Sequence, residues 1–260
     1  MTTPPTRRIQ IEGAYNVRDL GGYETTDGRY TKWKMFIRGD DVSTLPRSSQ
    51  DVLTDFGVRT VIDLRGVREI DSQADNVLSK LPHIRYCNVD ILGDVAIDTP
   101  WSNITGQLSK LPHIRYCNKA PKSYRNMLEL CGDKFRDTLA TMAETDALPV
   151  LFHCVGGLDR TGLVSAILLG LVGVPNETIA EDYTLTAEYR IDAYLGPNRQ
   201  PGTDPAQYTS EAYRARNCPP DVMLDTLDYL DDRHGGVEGY VKSVGVTDEQ
   251  IATLLDALLT

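Results

Sequence analysis

The chain of 260 residues predicts an α/β fold, with a mainly parallel central sheet flanked by helices and a helical C-terminal region. Two observations carry that expectation. Through the middle of the chain, short β-branched or apolar runs alternate with helical patterns, as they do where parallel strands are joined by covering helices. From Val222 onward the readable patterns are helical. The length suits one large domain over residues 1–260, and a hydrophobic content of 41% is enough for a sizeable core.

Residues 1–12 read as a polar arm. Tyr23 to Lys34 reads as a hairpin, because Asp27-Gly28 is a tight-turn pair flanked by Tyr23, Tyr30 and Trp33. Met35-Phe36-Ile37-Arg38 is a short strand. Ser48 or Ser49 is placed to cap a helix running to about Phe56, with Gly57 as its stop. Val58 to Leu64 is β-branched and reads as a buried strand. The eleven residues Leu78 to Asn88 recur letter for letter as Leu108 to Asn118. Two identical copies do not make a solenoid, which needs several diverged repeats. One strand position takes one copy. Ile84 to Val89 is assigned to the sheet, and 108–118 is read as an insertion, a recent duplication or a sequence error.

Tyr124 to Met142 carries apolar residues at helical spacing, with a break expected at Gly132. Leu148 to Phe152 is a strand, and Gly162 to Gly173, apolar nearly all round, is a buried helix. Pro175 suits the first turn of the next helix, which runs to about Arg190. Residues 195–221, rich in Gly, Pro and Tyr, read as a mobile loop or lid. Val222 to Arg233 is a helix. Thr247-Asp248-Glu249-Gln250 is a capping box before a last helix with Ile251, Leu254, Leu255 and Leu258 on one face.

The formal net charge is -10, so general binding of nucleic acid or anionic membrane is not expected, and any anion must meet a local site. No run of 18 apolar residues predicts a transmembrane helix or stable membrane insertion. Met1 to Gln10 lacks the apolar core of a secretory signal. Cys87, Cys117, Cys131, Cys154 and Cys218 form an odd set without CxxC spacing. That argues against a disulfide framework and a zinc site, and fits a reducing, cytoplasmic location, with leaderless export left open.

The run Val150 to Gly162 joins the last strand to the buried helix. Ligands of open α/β sheets bind at the C-terminal ends of strands. A glycine-containing loop before a helix N-terminus can turn several N–H groups onto an anion. Such a field favours the thiolate of a cysteine at its start. Cys154 is therefore read as a nucleophile toward phosphorus. Arg160 is read as the planar clamp on two phosphate oxygens. Thr161 is the donor to the departing sulfur, and His153 a brace. Val155, Gly156, Gly157, Leu158 and Thr161 line the substrate phosphate. No cofactor and no metal are expected. A buried structural cysteine would leave the arginine, hydroxyl, glycines and strand–loop–helix setting unexplained.

Cys-x5-Arg-Thr with a preceding His resembles the phosphate loop of protein tyrosine phosphatases. More narrowly, the chain resembles the bacterial tyrosine and lipid phosphatases whose loop usually reads His-Cys-x-x-Gly-Lys-Asp-Arg-Thr-Gly. Asn16 to Tyr23, Arg38-Gly39, Val61 to Arg65, Gly235-Gly236-Val237 and Gly245-Val246-Thr247 resemble further segments of that family. The likeness covers most of the chain except about 92–122 and 195–221. It implies a cysteine-phosphatase fold and a phosphomonoester hydrolase that works through a cysteinyl-phosphate intermediate. It also implies that Asp159 matters catalytically. The substrates so implied are a phosphotyrosine protein or a small phosphomonoester. The family's usual loop lysine is Leu158 here, which favours a singly phosphorylated substrate over phosphoinositides.

The general acid stays open between Asp159 and Asp90, with Asp94 and Asp98 weaker candidates. Asn16, Arg18 and Asp19 are candidates to approach the active site, with a turn-stabilising network the plainer role; Asp63 and Arg65, at a strand's C-terminal end, are candidates for a site role, with an ion pair the plainer one. Tyr183, Tyr189, Tyr194 and Tyr208 are candidates for an aromatic pocket, with packing the plainer role. A phosphoinositide phosphatase, a non-catalytic phosphate-binding relative and a rhodanese-like sulfurtransferase are the alternatives. The Thr after the Arg and the wider likeness argue against the last.

Overall fold

The computed structural model describes residues 6–71, 76–93, 120–195 and 209–260. The strands among them form one five-stranded sheet: β1 (Arg18–Asp19), β2 (Phe36–Gly39), β3 (Thr60–Asp63), β4 (Arg85–Asn88) and β5 (Val150–His153), in the order β1-β2-β5-β3-β4. β2, β5, β3 and β4 run parallel, and β1 is antiparallel to β2. The expected mainly parallel sheet is present, and the first copy of the repeat supplies β4. The second copy lies outside the described residues.

Both faces of the sheet are buried. Successive strand residues point to opposite sides, and they divide between two apolar clusters. Phe36, Ile62, Val150 and Phe152 enter one, whereas Ile37, Val61 and Leu151 enter the other. The smaller cluster is closed by α1 (Arg47–Phe56), through Leu53, and by a 3-10 turn at Val77–Lys80, through Leu78. The short α2 (Val67–Asp71) follows β3. The larger cluster takes the buried faces of α3 (Ala120–Leu130), α4 (Gly132–Met142), α5 (Asp159–Leu171), α6 (Asn176–Leu195), α8 (Pro220–His234), α9 (Val237–Ser243) and α10 (Asp248–Leu258). α7 (Ser210–Asn217) adds Tyr213.

Several expectations need adjustment. α1 begins after Pro46, with no side-chain cap; Ser49 Oγ instead donates to the Glu12 carbonyl at 2.8 Å. Gly57 ends that helix in the left-handed region, as expected. The Asp27-Gly28 turn forms and the two arms pair as expected: Thr25 N donates to the Arg29 carbonyl at 2.9 Å, Thr31 N to the Tyr23 carbonyl at 2.9 Å and Gly22 N to the Thr31 carbonyl at 2.7 Å, while Thr31 also bridges to Leu259. The buried helix starts at Asp159 rather than Gly162, so Asp159 and Arg160 sit in its first turn. Part of the expected loop at 195–221 is helical. Thr209 Oγ1 accepts from Ala212 N and caps α7. The capping box of α10 is complete, Thr247 and Gln250 each accepting from the other's backbone N–H.

Candidate active site

The parallel strands end together. Gly39, Asp63 and His153 share one register, with Asn88 opposite Asp63. The loop Cys154 to Leu158 leaves the central strand β5 at that edge and enters α5 at Asp159. Cys154 is 2% exposed at the base of the loop, and Thr161 Oγ1 donates to its Sγ at 3.1 Å. His153 is fully buried. Its Nδ1 lies 3.2 Å from the Cys154 carbonyl, which only accepts, so Nδ1 carries the hydrogen. Burial pushes the His153 imidazole below its ordinary value.

The loop is shaped by what pulls on its carbonyls. The Gly157 carbonyl accepts from Asn16 Nδ2 at 3.0 Å and Arg38 Nη2 at 2.7 Å, and the Gly156 carbonyl from Asn16 Nδ2 at 3.2 Å. The Val155 carbonyl accepts from Asp41 N at 3.1 Å. A trans peptide holds its N–H opposite its C=O. Carbonyls drawn outward therefore turn the N–H groups of Gly156, Gly157 and Leu158 the other way, which is the arrangement that cradles an anion.

The two glycines have different reasons to be glycine. Gly157 has φ 61°, and a Cβ there would lie 2.7 Å from the Gly39 carbonyl oxygen. Gly156 lies outside the positive-φ region, but a Cβ there would lie 2.9 Å from Arg190 Nη1. The bare Gly156 therefore admits a guanidinium from α6 to the rim, on a loop that has Leu158 where a cation was expected. Leu158 is half-buried and packs against the larger core, whereas Val155 is exposed.

Behind the loop stands a buried ionic cluster. Arg18 and Arg38 are opposite partners of β1 and β2, and both meet Asp182 of α6. Arg18 Nε donates to Asp182 Oδ1 at 2.9 Å, Arg38 Nη1 to Oδ2 at 2.5 Å, and Tyr23 Oη to Oδ1 at 2.7 Å. Burial works against the Asp182 charge, but Arg18 and Arg38 outweigh it and hold the carboxyl well below the usual range. Burial and the neighbouring Arg18 push Arg38 down to about 10. Asn16 Oδ1 accepts from Arg18, so the expected network of Asn16, Arg18 and Asp19 does more than stabilise a turn. Through Asn16 it reaches the loop itself.

On the other side, Arg160 is gripped end-on by Glu69 of α2, Nη1 to Oε2 at 2.5 Å and Nη2 to Oε1 at 2.9 Å. Nη1 also reaches the Leu64 carbonyl at 3.3 Å. Burial opposes the Glu69 charge, and Arg160 overcomes it, so the carboxyl lies below its ordinary value. Sequence reasoning passed over Glu69 and Asp182, and met Arg38 only in a strand and in the Arg38-Gly39 likeness, with no role in the site. For Glu69 a signal existed: a carboxylate in the first turn after the strand ending at Asp63, at the edge where Cys154 emerges.

Asp159 Oδ1 accepts from Tyr124 Oη at 2.7 Å, and burial raises its carboxyl above the ordinary value against the pull of Tyr124 and Arg160. Asp90 lies near Gly66, but its Oδ1 accepts from Leu92 N at 3.0 Å and Gly93 N at 2.9 Å, which caps a turn. Asp94 and Asp98 lie outside the described residues. Asp63 and Arg65 pair at 2.6 Å, as expected, and Arg65 also reaches Asp41 at 2.9 Å. Tyr183 is buried against Tyr124, and Tyr189 stacks under Arg8 and Arg18. Both make packing contacts, the plainer of the two expected roles; the Tyr194 side chain and Tyr208 lie outside the described residues. Among the described residues, no group of three or more His, Cys, Asp or Glu is arranged to hold a metal ion.

Comparison with known proteins agrees with this geometry. The chain is 28% identical over 234 residues to a tyrosine-protein phosphatase of Nostoc commune, covering 84% of this chain and 72% of that one. It is 22% identical over 281 residues to the triple specificity protein phosphatase PtpB of Mycobacterium tuberculosis, covering 96% and 98%. A putative tyrosine-protein phosphatase of Cupriavidus necator is 27% identical over 173 residues, covering 65% and 59%. The profile of the tyrosine phosphatase family matches residues 9–260, a span that holds the cradle, Cys154 and Arg160 alike; the chain belongs to the tyrosine phosphatase family.

Proposed function

We propose that the protein hydrolyses phosphotyrosine in proteins, or a similar aryl phosphomonoester, in two steps, with residues 1–260 working as one domain. The observation that carries this reading is Cys154 at the floor of a loop whose Val155, Gly156 and Gly157 carbonyls are drawn outward, with Thr161 Oγ1 3.1 Å from its sulfur. The thiolate attacks phosphorus, an S–P bond forms, and the P–O bond to the phenol breaks with its electron pair on oxygen. Asp159 supplies that oxygen with a proton. Water then attacks the cysteinyl phosphate, Asp159 takes a proton from it, and the S–P electron pair returns to sulfur, where Thr161 donates.

Arg160 has five N–H donors. Its end-on grip by Glu69 and its bond to Leu64 account for three of them. Nε–H and the second Nη2 hydrogen share one edge and suit two phosphate oxygens. Val155, exposed at the loop, offers an apolar contact to an aryl ring. Cys87, Cys131, Cys154 and Cys218 are free thiols, which supports a reducing, cytoplasmic setting. No helix among the described residues is long and apolar enough to cross a membrane.

Cys154→Ser tests the nucleophile. Hydrolysis of para-nitrophenyl phosphate falls at least about 10³-fold, on the scale of removing a reaction's central nucleophile, while vanadate still binds through the loop and Arg160. The wild-type rate survives a metal chelator. Turnover near wild type in Cys154→Ser, or loss with chelator and rescue by a divalent ion, contradicts the mechanism.

A further inference from the structure

Three hydroxyl and carboxyl groups from three helices, and a carbonyl from a fourth, form one chain beneath the acid. Asp159 opens α5, Tyr124 lies in α3, Tyr183 in α6, and Asn217 ends α7. Tyr124 Oη is 2.7 Å from Asp159 Oδ1 and 2.9 Å from Tyr183 Oη, and Tyr183 Oη is 3.5 Å from the Asn217 carbonyl. Both tyrosines are 1% exposed, and their rings meet edge-on at 6.2 Å and 87°.

Hydrogen counting then fixes the direction. A carbonyl and an ionised carboxylate only accept. With Asp159 ionised, two hydroxyl hydrogens must serve three contacts. The charged acceptor takes the strongest bond, so Tyr124 donates to Oδ1. Tyr183 then finds the Tyr124 oxygen at 2.9 Å and the Asn217 carbonyl at 3.5 Å, and the shorter contact wins. The chain is polarised from Tyr183 through Tyr124 to Asp159.

We infer that Tyr124, backed by Tyr183, is a positioning residue that reserves one oxygen of Asp159 for anchoring and leaves the other to carry the transferable proton. This rests on the reading of Asp159 as the acid–base. In the first step the proton on Oδ2 passes to the leaving oxygen, and Asp159 becomes a carboxylate with Oδ1 still held. In the second step Oδ2 takes a proton from the attacking water. The tyrosine hydrogens do not move. The arrangement would explain how a short side chain at the start of a helix keeps one aim through both steps.

The groups facing Asp159 are Tyr124 from α3, its neighbour Arg160, Tyr183 and Arg190 from α6, and Cys218 after α7. Burial raises the Asp159 carboxyl, whereas the Tyr124 bond, Arg160 and Arg190 oppose that rise. Removing the Tyr124 hydroxyl takes away a donor that favours the carboxylate, so the carboxyl is raised further.

The experiment is the pH profile of kcat/KM for an aryl phosphate in wild type, Asp159→Asn, Tyr124→Phe and Tyr183→Phe, with vanadate affinity as a measure of the intact loop. Asp159→Asn loses the basic limb if Asp159 is the acid; a retained limb sinks that reading. Given its loss there, Tyr124→Phe moves the limb upward by roughly half a pH unit, the size of one hydrogen bond. Tyr183→Phe moves it in the same direction by less. A uniformly lower rate with an unmoved limb in Tyr124→Phe overturns the inference while leaving the acid assignment standing. If Tyr124→Phe has lost vanadate binding, Tyr183→Phe decides, and an unmoved limb there overturns it.

Discussion

Two arginine–carboxylate clusters flank the phosphate loop, built from the same chemistry but in opposite surroundings. The first, Arg18–Asp182–Arg38, has side-chain exposures of 0%, 2% and 1%. The second, Arg160–Glu69, has 11% and 35%. In the first cluster the strand pairing sets two arginines directly opposite each other, an arrangement that is unfavourable on its own. Asp182 between them is what makes it tolerable. The buried cluster therefore fixes the loop from behind by being costly to disturb. The partly exposed pair holds a reagent in place at little energetic risk. Burial, rather than the kind of contact, separates scaffold from tool.

The comparison breaks most visibly at Asp182. Asp182→Asn leaves two buried guanidinium groups facing one another without a counter-charge, and costs about 3–5 kcal/mol of stability, measured by denaturant unfolding. The pH dependence follows. The folded carboxyl lies below its unfolded value of about 3.9, because Arg18 and Arg38 outweigh burial. Its stabilisation is complete above about pH 5 and is lost as pH falls below that. Wild type loses this stability in acid, and the variant has none of it to lose.

Glu69→Gln probes the other cluster. Its stability changes by less than about 1 kcal/mol, the range of partly exposed pairs. Its kcat/KM falls at least about tenfold, because an arginine no longer aimed loses the geometry of the reacting complex. A stability loss as large as that of Asp182→Asn would erase the distinction.

Leu158→Lys has the smallest expected effect. It replaces a half-buried apolar side chain of the loop with a cation, and should raise hydrolysis of a polyphosphorylated inositol lipid relative to phosphotyrosine by a few-fold if the ammonium reaches solvent at the rim. Native preference for the lipid would show that the missing loop lysine does not set specificity. Arg190 beside Gly156 is then the group to change next.

What could be read from the sequence was whatever lies within a few residues along the chain. Cys154, Arg160, Thr161 and the strand–loop–helix around them share one short segment, and so does the capping box at Thr247. The break between α3 and α4 was visible for the same reason. What escaped depends on tertiary pairing. Asn16 meets Gly157 across 141 positions, and Arg38 meets Asp182 across 144. The hairpin at Tyr23 to Lys34 was legible from its turn, but its bridge from Thr31 to Leu259 is a partner no local pattern announces. The turn that engages Asp90 Oδ1 through the N–H groups of Leu92 and Gly93 was not announced by its place after β4. Ser48 and Ser49 looked like caps, but the helix starts at Arg47, two or three residues earlier than they require.

The strand order has a consequence for the chain during its synthesis. β5, which carries Cys154 at its end, lies between β2 and β3, and these two do not pair with each other. Until residue 150 has been made, the growing chain holds two half-sheets whose inner edges, Phe36-Ile37 and Val61-Ile62, have no partner. Such apolar edges are templates for wrong pairing, and long-range parallel pairing is slow to close. The strand that delivers the nucleophile is also the one that seals the sheet, so a ribosome-bound fragment ending before it is sticky as well as inactive.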